Sequence, residues 1–501
     1  MLGLEYVVDA VTPFRLVLSL AGVVAGTVLG AIPGLTATMA IAVLVPLTFS
    51  MDPASALLLM GAIYTGAIYG GAYAAILLNT PGTPSSIATT FDGFPMAKRG
   101  DGDLAVTLSC LASVVGGLVG AFALLLLAPP LAHVALAFGP VQYFWMAIFG
   151  LTLISAISEG QLVKGLIGAA FGLLISCIGV APISGAPRFT FGSSTLLGGI
   201  NVVSGLIGLY CIPVLIDLVA RPERHLELTG ESRGFRLREA FSLCCQGKFN
   251  LARSSIIGTL IGILPGAGGS IASLVSYSEA RRVSHHPERF GKGEPFGIQA
   301  TESANNATVG GGLIPTMVLG IPGTPPDAVI LGALLVQGIH TGPELFASGG
   351  GSVVYTFIYG LLIATIMMLP IGLLIGRYAF RSIVSFPKAV LVPIVAFMTI
   401  IGTYAIRNSV ADVVIMIALG VMGWVLDRFG FKPSPIVLGL ILGPIAEQGL
   451  VQGWMIGGAT GHPVAAFFSG PLTISIIAMI LLSLGYPLLI KRLRKIRKGA
   501  A

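Results

Sequence analysis

Charge is what this chain has least of. Only 10% of its 501 residues are Asp, Glu, Lys or Arg, against about 25% in an ordinary soluble domain, and that shortage excludes a soluble globular protein. Cysteine is scarce as well. Cys110, Cys177 and Cys211 lie in apolar runs and Cys244 and Cys245 are neighbours in a basic loop, so the five make no disulfide framework and read as free thiols. No HExxH, GxSxG or Walker A string occurs, which leaves no zinc, nucleophile or ATP site. Gly100-Asp101-Gly102-Asp103 matches the GxGD string of intramembrane aspartyl proteases, but it follows Lys98-Arg99 in a polar stretch without a partnering Tyr-Asp. It reads as a turn, and the chain as a non-enzyme. The N-terminus carries Glu5 and Asp9 before Arg15, so it lacks the positive start of a cleaved signal peptide and its first helix is expected to stay in the protein. A net charge of +7 does not argue for nucleic acid, because the cations fall between apolar runs, where they mark cytoplasmic loops.

Hydrophobic residues are abundant, at 55%, with 68 Gly and 31 Pro among the rest. A bilayer core takes about 20 apolar residues per helix. The length and the spacing of the runs therefore predict an all-α polytopic membrane protein of about 10–12 transmembrane segments and hairpins. Arg221, Arg224, Arg233, Arg236, Arg238, Lys248 and Arg253 form the richest basic stretch, and the tail holds Lys491, Arg492, Arg494, Lys495, Arg497 and Lys498. Both are placed in the cytoplasm by the positive-inside rule. The expected organisation is a first repeat over 10–220, a basic cytoplasmic linker over 221–253, a second repeat over 254–450, and an extra C-terminal helix with its basic tail over 451–501.

The repeat is visible in two alignments. VAGTVLGAIPGLTATMA at 24–40 matches IIGTLIGILPGAGGSIA at 256–272, with Gly, Thr, Gly, Pro, Gly and Ala shared at six of 17 positions, an offset of 232. GGAYAAILLNTPGTPSS at 70–86 matches GGLIPTMVLGIPGTPPD at 311–327 at an offset of 241, with Pro-Gly-Thr-Pro intact. Two motifs recurring in one order on either side of the basic stretch indicate duplication. Lys98 and Arg99 place the end of the first Pro-Gly-Thr-Pro unit inside. Arg377, Arg381 and Lys388 place its counterpart, near His340 to Glu344, outside, so the copies are expected to be inverted. By the same count, 16–50 and 254–278 are hairpins that enter and leave on one side.

Proline removes a backbone donor and glycine a side chain, so Pro-Gly within an apolar run breaks a helix and frees peptide groups. In the membrane those groups must be buried in protein or line a polar cavity. Four breaks occur, at Pro33-Gly34, Pro81-Gly82, Pro265-Gly266 and Pro322-Gly323. Broken helices at matching places in two inverted halves point to a substrate site near the midplane, where half-helix N-termini face an anion. Beside the breaks stand Thr36 and Thr38; Asn79, Thr80 and Thr83; Gly268, Gly269 and Ser270; and Thr324. These hydroxyl, amide and bare-backbone groups can bind a carboxylate without a fixed charge. Residues three or four apart share a helix face. Glu302, Asn305, Asn306 and Thr308, together with Asp327, therefore form an oxygen-rich candidate for a coupling Na+ or H+. Their first-half counterpart carries Tyr64, Thr65 and Tyr69. Against these readings, small residues also let membrane helices pack closely, Glu302 fits a solvated helix start, and Asp92 and Asp327 fit helix caps.

At GAIPGLTATMAIAVLVPLTF, GGAYAAILLNTPGTPSSIATTFDGFPMAKRGDGD, GILPGAGGSIASLVSYSEARR and GIPGTPPDAVILGALLVQGIHTGPELF the chain resembles the large membrane subunit of the tripartite tricarboxylate transporters, the TctA type, from about residue 10 to 470. The resemblance implies a bacterial inner-membrane symporter with a cytoplasmic C-terminus, driven by a sodium or proton gradient. It also implies a small four-helix membrane subunit and a periplasmic solute-binding protein that delivers a carboxylate such as citrate. No cofactor is implied beyond the coupling ion. The other classes open to the chain are an uncoupled channel or exporter of organic anions and, less consistent with its motifs, an intramembrane enzyme.

Overall fold

The fold is set by where proline and glycine interrupt apolar helix. In the computed structural model, which describes all residues except 1, 2, 4, 158–161, 221–235, 340, 343, 348–350, 380–387 and 485–501, the chain is helical almost throughout. Among the described residues seven helices are long and apolar enough to cross a membrane, and six shorter apolar helices accompany them. This is an all-α polytopic membrane protein. Arg221, Arg224, Arg233, His340, Arg381 and the basic tail lie outside the described residues.

Two compact units form by contact, one from Met1–Ala132 and Tyr210–Asn408, the other from His133–Leu209 and Ser409–Ala501. The first unit holds all four breaks. Its longer helices include α1 (Pro13–Ala31), α2 (Ala37–Leu44), α3 (Pro53–Leu78), α4 (Gly102–Ala135, of which the residues to Ala132 belong to this unit), α5 (Lys248–Ile263), α6 (Gly268–Val283), α7 (Pro295–Leu319), α8 (Pro325–Val336), α9 (Gly351–Leu374) and α10 (Lys388–Arg407). In the second unit, Gly172 lies against the Ile436 backbone and Gly439 against that of Ala169, which brings Leu162–Ser176 and Pro433–Ala459 into close contact. There Arg188, on a short antiparallel ribbon of Gly179–Val180 and Pro187–Arg188, pairs with Glu447 at 2.9 Å.

The duplication is repeated in the backbone. α1 ends at Ile32 (φ −83°, ψ 116°) and α5 at Leu264 (φ −81°, ψ 114°), and the glycine two residues on takes a left-handed φ in both copies, 95° at Gly34 and 84° at Gly266. A side chain disfavours that region, so each Pro-Gly pair turns the chain where another sequence would continue the helix. α3 ends on Asn79 and α7 on Gly320, both left-handed, and α3 and α7 are followed by extended Thr83 and Thr324. The packing corresponds as well. A Cβ on Gly26 would strike the Ile63 carbonyl and one on Gly258 that of Ala304; Gly70 meets the Thr27 carbonyl and Gly311 that of Thr259. The offsets of 232 and 241 thus hold in the contacts of α1 with α3 and of α5 with α7. Such glycine seams let helix backbones touch, the way membrane helices gain packing where no hydrophobic force drives them together.

Two regions gain detail beyond the sequence reading. The second part of the expected linker is structured: Leu237–Gln246 is helical, with Cys244 buried and Cys245 exposed, and α5 begins at Lys248. The GxGD stretch is a kink between helices, made at Gly100 with φ 84°, and Asp101 there accepts a bond from Arg236 at 2.5 Å.

Candidate functional site

α7 is the centre of the first unit. It runs 25 residues through Glu302, Asn305, Asn306 and Thr308, none of which is more than 1% exposed. Glycine explains how so polar a helix can be enclosed. Gly116 and Gly120 of α4 lie against the carbonyls of Ser303 and Ala307, and Gly258 of α5 against Ala304. Backbone contact on two sides keeps these residues from the surface. Glu302 is therefore not a solvated helix start.

Glu302 accepts hydrogen bonds from two hydroxyls, Thr89 to Oε1 and Ser113 to Oε2, the latter at 3.1 Å. Thr89 stands at the end of the short helical turn Pro84–Thr89 that follows the first Pro-Gly-Thr-Pro break. Asp327, the third residue of α8, is 0% exposed and accepts the Thr324 hydroxyl at 2.5 Å, and Thr324 also bonds the Tyr64 hydroxyl of α3 at 2.8 Å. Among the described residues Asp327 Oδ1 has no hydrogen-bond partner. Among the described residues no Lys, Arg or His forms an ion pair with either carboxyl. A carboxylate enclosed in this way is costly to keep charged unless a proton or a cation neutralises it.

The N-terminus of α6 lies between the two Pro-Gly-Thr-Pro breaks. A Cβ on Gly268 would sit 3.9 Å from the Thr324 methyl, and one on Gly269 would collide with Asn305 Oδ1 and lie 2.9 Å from Ser85 Cβ and 3.4 Å from Thr308 Oγ1. Ser273, one turn on, donates to the Ser85 carbonyl at 3.1 Å. Thr83 and Ser85 share a hydroxyl bond of 3.1 Å. Among the described residues neither Asn305 amide atom has a partner, while Asn306 donates to the Glu302 carbonyl at 3.2 Å and its Oδ1 finds none. The Gly323 carbonyl accepts the Gly266 N–H at 2.7 Å, which fastens the break after α5 to the break after α7.

Thr83, Gly268, Gly269, Asn305, Thr308, Thr324 and Asp327 are thus brought together, with Gly82, Gly266 and Gly323 forming their backbone support. Other candidates do different work. Thr36 caps α2 by accepting the Met39 N–H at 3.1 Å, Thr80 bonds back to the Leu78 carbonyl, and Asn79 and Gly34 are exposed. Asp92 does not cap its own helix. It accepts the N–H groups of Gly291, Gly293 and Glu294, each at 2.8 Å, and the Tyr277 hydroxyl at 2.9 Å, so it holds the loop before α7. Sequence reasoning missed Ser85, Thr89, Ser113 and Ser273. Ser85, Thr89 and Ser273 lie within the repeated or family-like strings and so had a signal, whereas Ser113 lies outside them.

An all-α membrane protein with paired broken helices around buried oxygen ligands is the class that fold and site define. The chain belongs to the tripartite tricarboxylate transporter TctA family, which matches residues 16–438. It is 35% identical over 482 residues to an Agrobacterium vitis protein described as an uncharacterized 52.8 kDa protein in the TAR-I ttuC' 3'region, covering 95% of this chain and 93% of that one. A second A. vitis protein, described as uncharacterized and in the TAR-II ttuC' 3'region, is 37% identical over 235 residues, 45% of this chain and 95% of that one. No solved structure matches the chain.

Proposed function

We propose that this protein carries a small organic anion, a tricarboxylate or a related carboxylate, across the bacterial inner membrane in symport with Na+ or H+. The observation that carries this reading is the pair of enclosed carboxyls, Glu302 within α7 and Asp327 just after the second Pro-Gly-Thr-Pro break, which accept threonine and serine hydroxyls and, among the described residues, pair with no cationic side chain. A group that needs neutralisation in order to stay buried binds a cation when the site closes and releases it when the site opens. Closing on anion and cation together is how a symporter avoids leaking either one.

In this reading the repeats are inverted, the hairpins return to their own sides, and the C-terminus is cytoplasmic. Hairpin-bearing elements move as a body to present the site to either face. A periplasmic binding protein delivers the anion and a small four-helix membrane subunit completes the carrier, as the family description supports. Reconstitution of the three components in proteoliposomes under imposed sodium or proton gradients tests coupling: uptake driven equally well with no cation gradient would mean an uncoupled channel or exporter. Asn306→Ala and Thr83→Ala test the site, and the assignment fails if both leave uptake and its cation dependence unchanged.

A further inference from the structure

The two Pro-Gly-Thr-Pro breaks are alike in backbone and unlike in chemistry. At the offset of 241, confirmed by the glycine contacts of Ile63 and Ala304, Tyr64 corresponds to Asn305, Thr83 to Thr324 and Ser86 to Asp327. At the second break the set is closed: the Tyr64 hydroxyl bonds Thr324, and Thr324 bonds Asp327. At the first break the corresponding bond is not made. Thr83 turns to Ser85, Ser86 donates to the Thr83 carbonyl at 2.8 Å, and the Asn305 amide, 0% exposed, keeps both its donor and its acceptor unpaired beside Gly269. A buried amide without a partner is rare and costs free energy that a ligand recovers. It stands at the N-terminus of a 16-residue helix, where backbone N–H groups and the helix dipole favour an anion, and its own neighbours Ser85, Gly269 and Thr308 carry no acidic group.

We propose that the two breaks divide the ions between them. Asn305, Ser85 and the first turn of α6 bind a carboxylate group of the transported anion, and Tyr64, Thr324 and Asp327 bind the neutralising cation or proton. This assignment rests on the carrier reading above and sharpens it, since the sequence alone gave both breaks to the substrate. The chemistry separates cleanly. Amide, hydroxyl and peptide N–H groups donate to a carboxylate, whereas Asp327, with Oδ1 free and a hydroxyl network behind Oδ2, offers the acceptor set that a hard cation or a proton needs. The titratable groups on the elements packed against α8 are Tyr64, Tyr69 and Tyr73 of α3 and Glu302 of α7; α2 carries none. Of these, Tyr64 adjoins the Thr324 to Asp327 pair.

The test uses the full chain purified in detergent, with citrate, succinate and acetate as tri-, di- and monocarboxylate probes, read as shifts in the thermal unfolding midpoint across sodium concentration and pH. The wild type is expected to shift with citrate or succinate, more strongly with sodium or at lower pH. Asn305→Ala and Asn305→Asp should lose the anion shift while their unliganded midpoints hold. Asp327→Asn, neutral in place of a neutralised carboxylate, should keep the anion shift and lose its dependence on sodium and pH. If no probe moves the wild type, the carboxylate reading and this assignment fail together. If Asn305→Asp responds like the wild type, or Asp327→Asn loses the anion shift, the assignment alone is overturned. Should neither Asn305 variant fold, Thr83→Val and Ser85→Ala replace them, and an unchanged anion shift in both would equally overturn it.

Discussion

Thr89 donates its hydroxyl to Glu302, so a residue of the first repeat holds the single carboxyl on the central helix of the second. With Ser113 on the other oxygen, the carboxyl has two donors and no cation of its own. Glu302→Gln keeps the size of the side chain and removes the group that must be neutralised. Uptake driven by a cation gradient should fall roughly tenfold or more, equivalent to about 1.4 kcal/mol or more of lost coupling, at unchanged membrane levels of the protein. Initial rates of labelled citrate uptake measure it. Wild-type rates with wild-type cation dependence would remove Glu302 from the mechanism.

The glycine seams give a stability prediction with an internal control. Gly70 and Gly311 meet the carbonyls of Thr27 and Thr259 in matching positions. An added methyl must push backbone apart there, at a cost of about 1–3 kcal/mol. Gly70→Ala and Gly311→Ala should lower the unfolding midpoint by similar amounts. Gly458 has nothing within 4 Å of a Cβ, so Gly458→Ala should stay within roughly 0.5 kcal/mol of wild type. Equal midpoints for all three variants would contradict the seams.

Asp92 gathers three N–H groups from residues 291–294, and Arg99 donates to the Gly293 carbonyl at 2.6 Å. Asp92→Ala leaves several buried donors unpaired, a loss of about 1–3 kcal/mol for each that stays dry. The loop should open to water first. Trypsin cutting after Arg289 and Lys292 in membrane vesicles is expected to accelerate while the hairpin glycine contacts persist; an unchanged cutting rate would mean that Asp92 does not hold the loop.

Inversion of the repeats predicts labelling from opposite faces. In a background without the five native cysteines, Lys98→Cys should react with a membrane-impermeant maleimide from the cytoplasm and Thr341→Cys from the periplasm. Reaction of both from the same face would make the copies parallel and remove the basis for a site shared at the midplane.

The scaffold was legible because its signals are local. Pro33-Gly34, Pro265-Gly266 and the two Pro-Gly-Thr-Pro strings specify turns through properties of single residues, and the structure has helix ends at all four. The enclosure of α7 was not legible from its own composition. Its polar residues keep it out of the set of helices apolar enough to cross a membrane, and it is buried because glycines far away in sequence, Gly116 and Gly258 among them, bring other backbones against it. The role of Asp92 was hidden for the same reason, since its partners lie about two hundred residues away. Local chemistry reads directly; a side chain's partners depend on which helices touch.

The seams of Gly26 on Ile63 and Gly258 on Ala304 join main chain to main chain, and this separates what the two copies must keep from what they are free to change. Duplicated halves built on side-chain interdigitation would have to diverge in concert, each new side chain answered by its neighbour. Here the framework depends on the absence of side chains, so Tyr64 and Asn305 could drift to opposite chemistries on equivalent struts without disturbing the architecture. On the assignment proposed above, a duplicated chain thereby acquires polarity, one break suited to anions and the other to cations, through a few substitutions that the framework does not register.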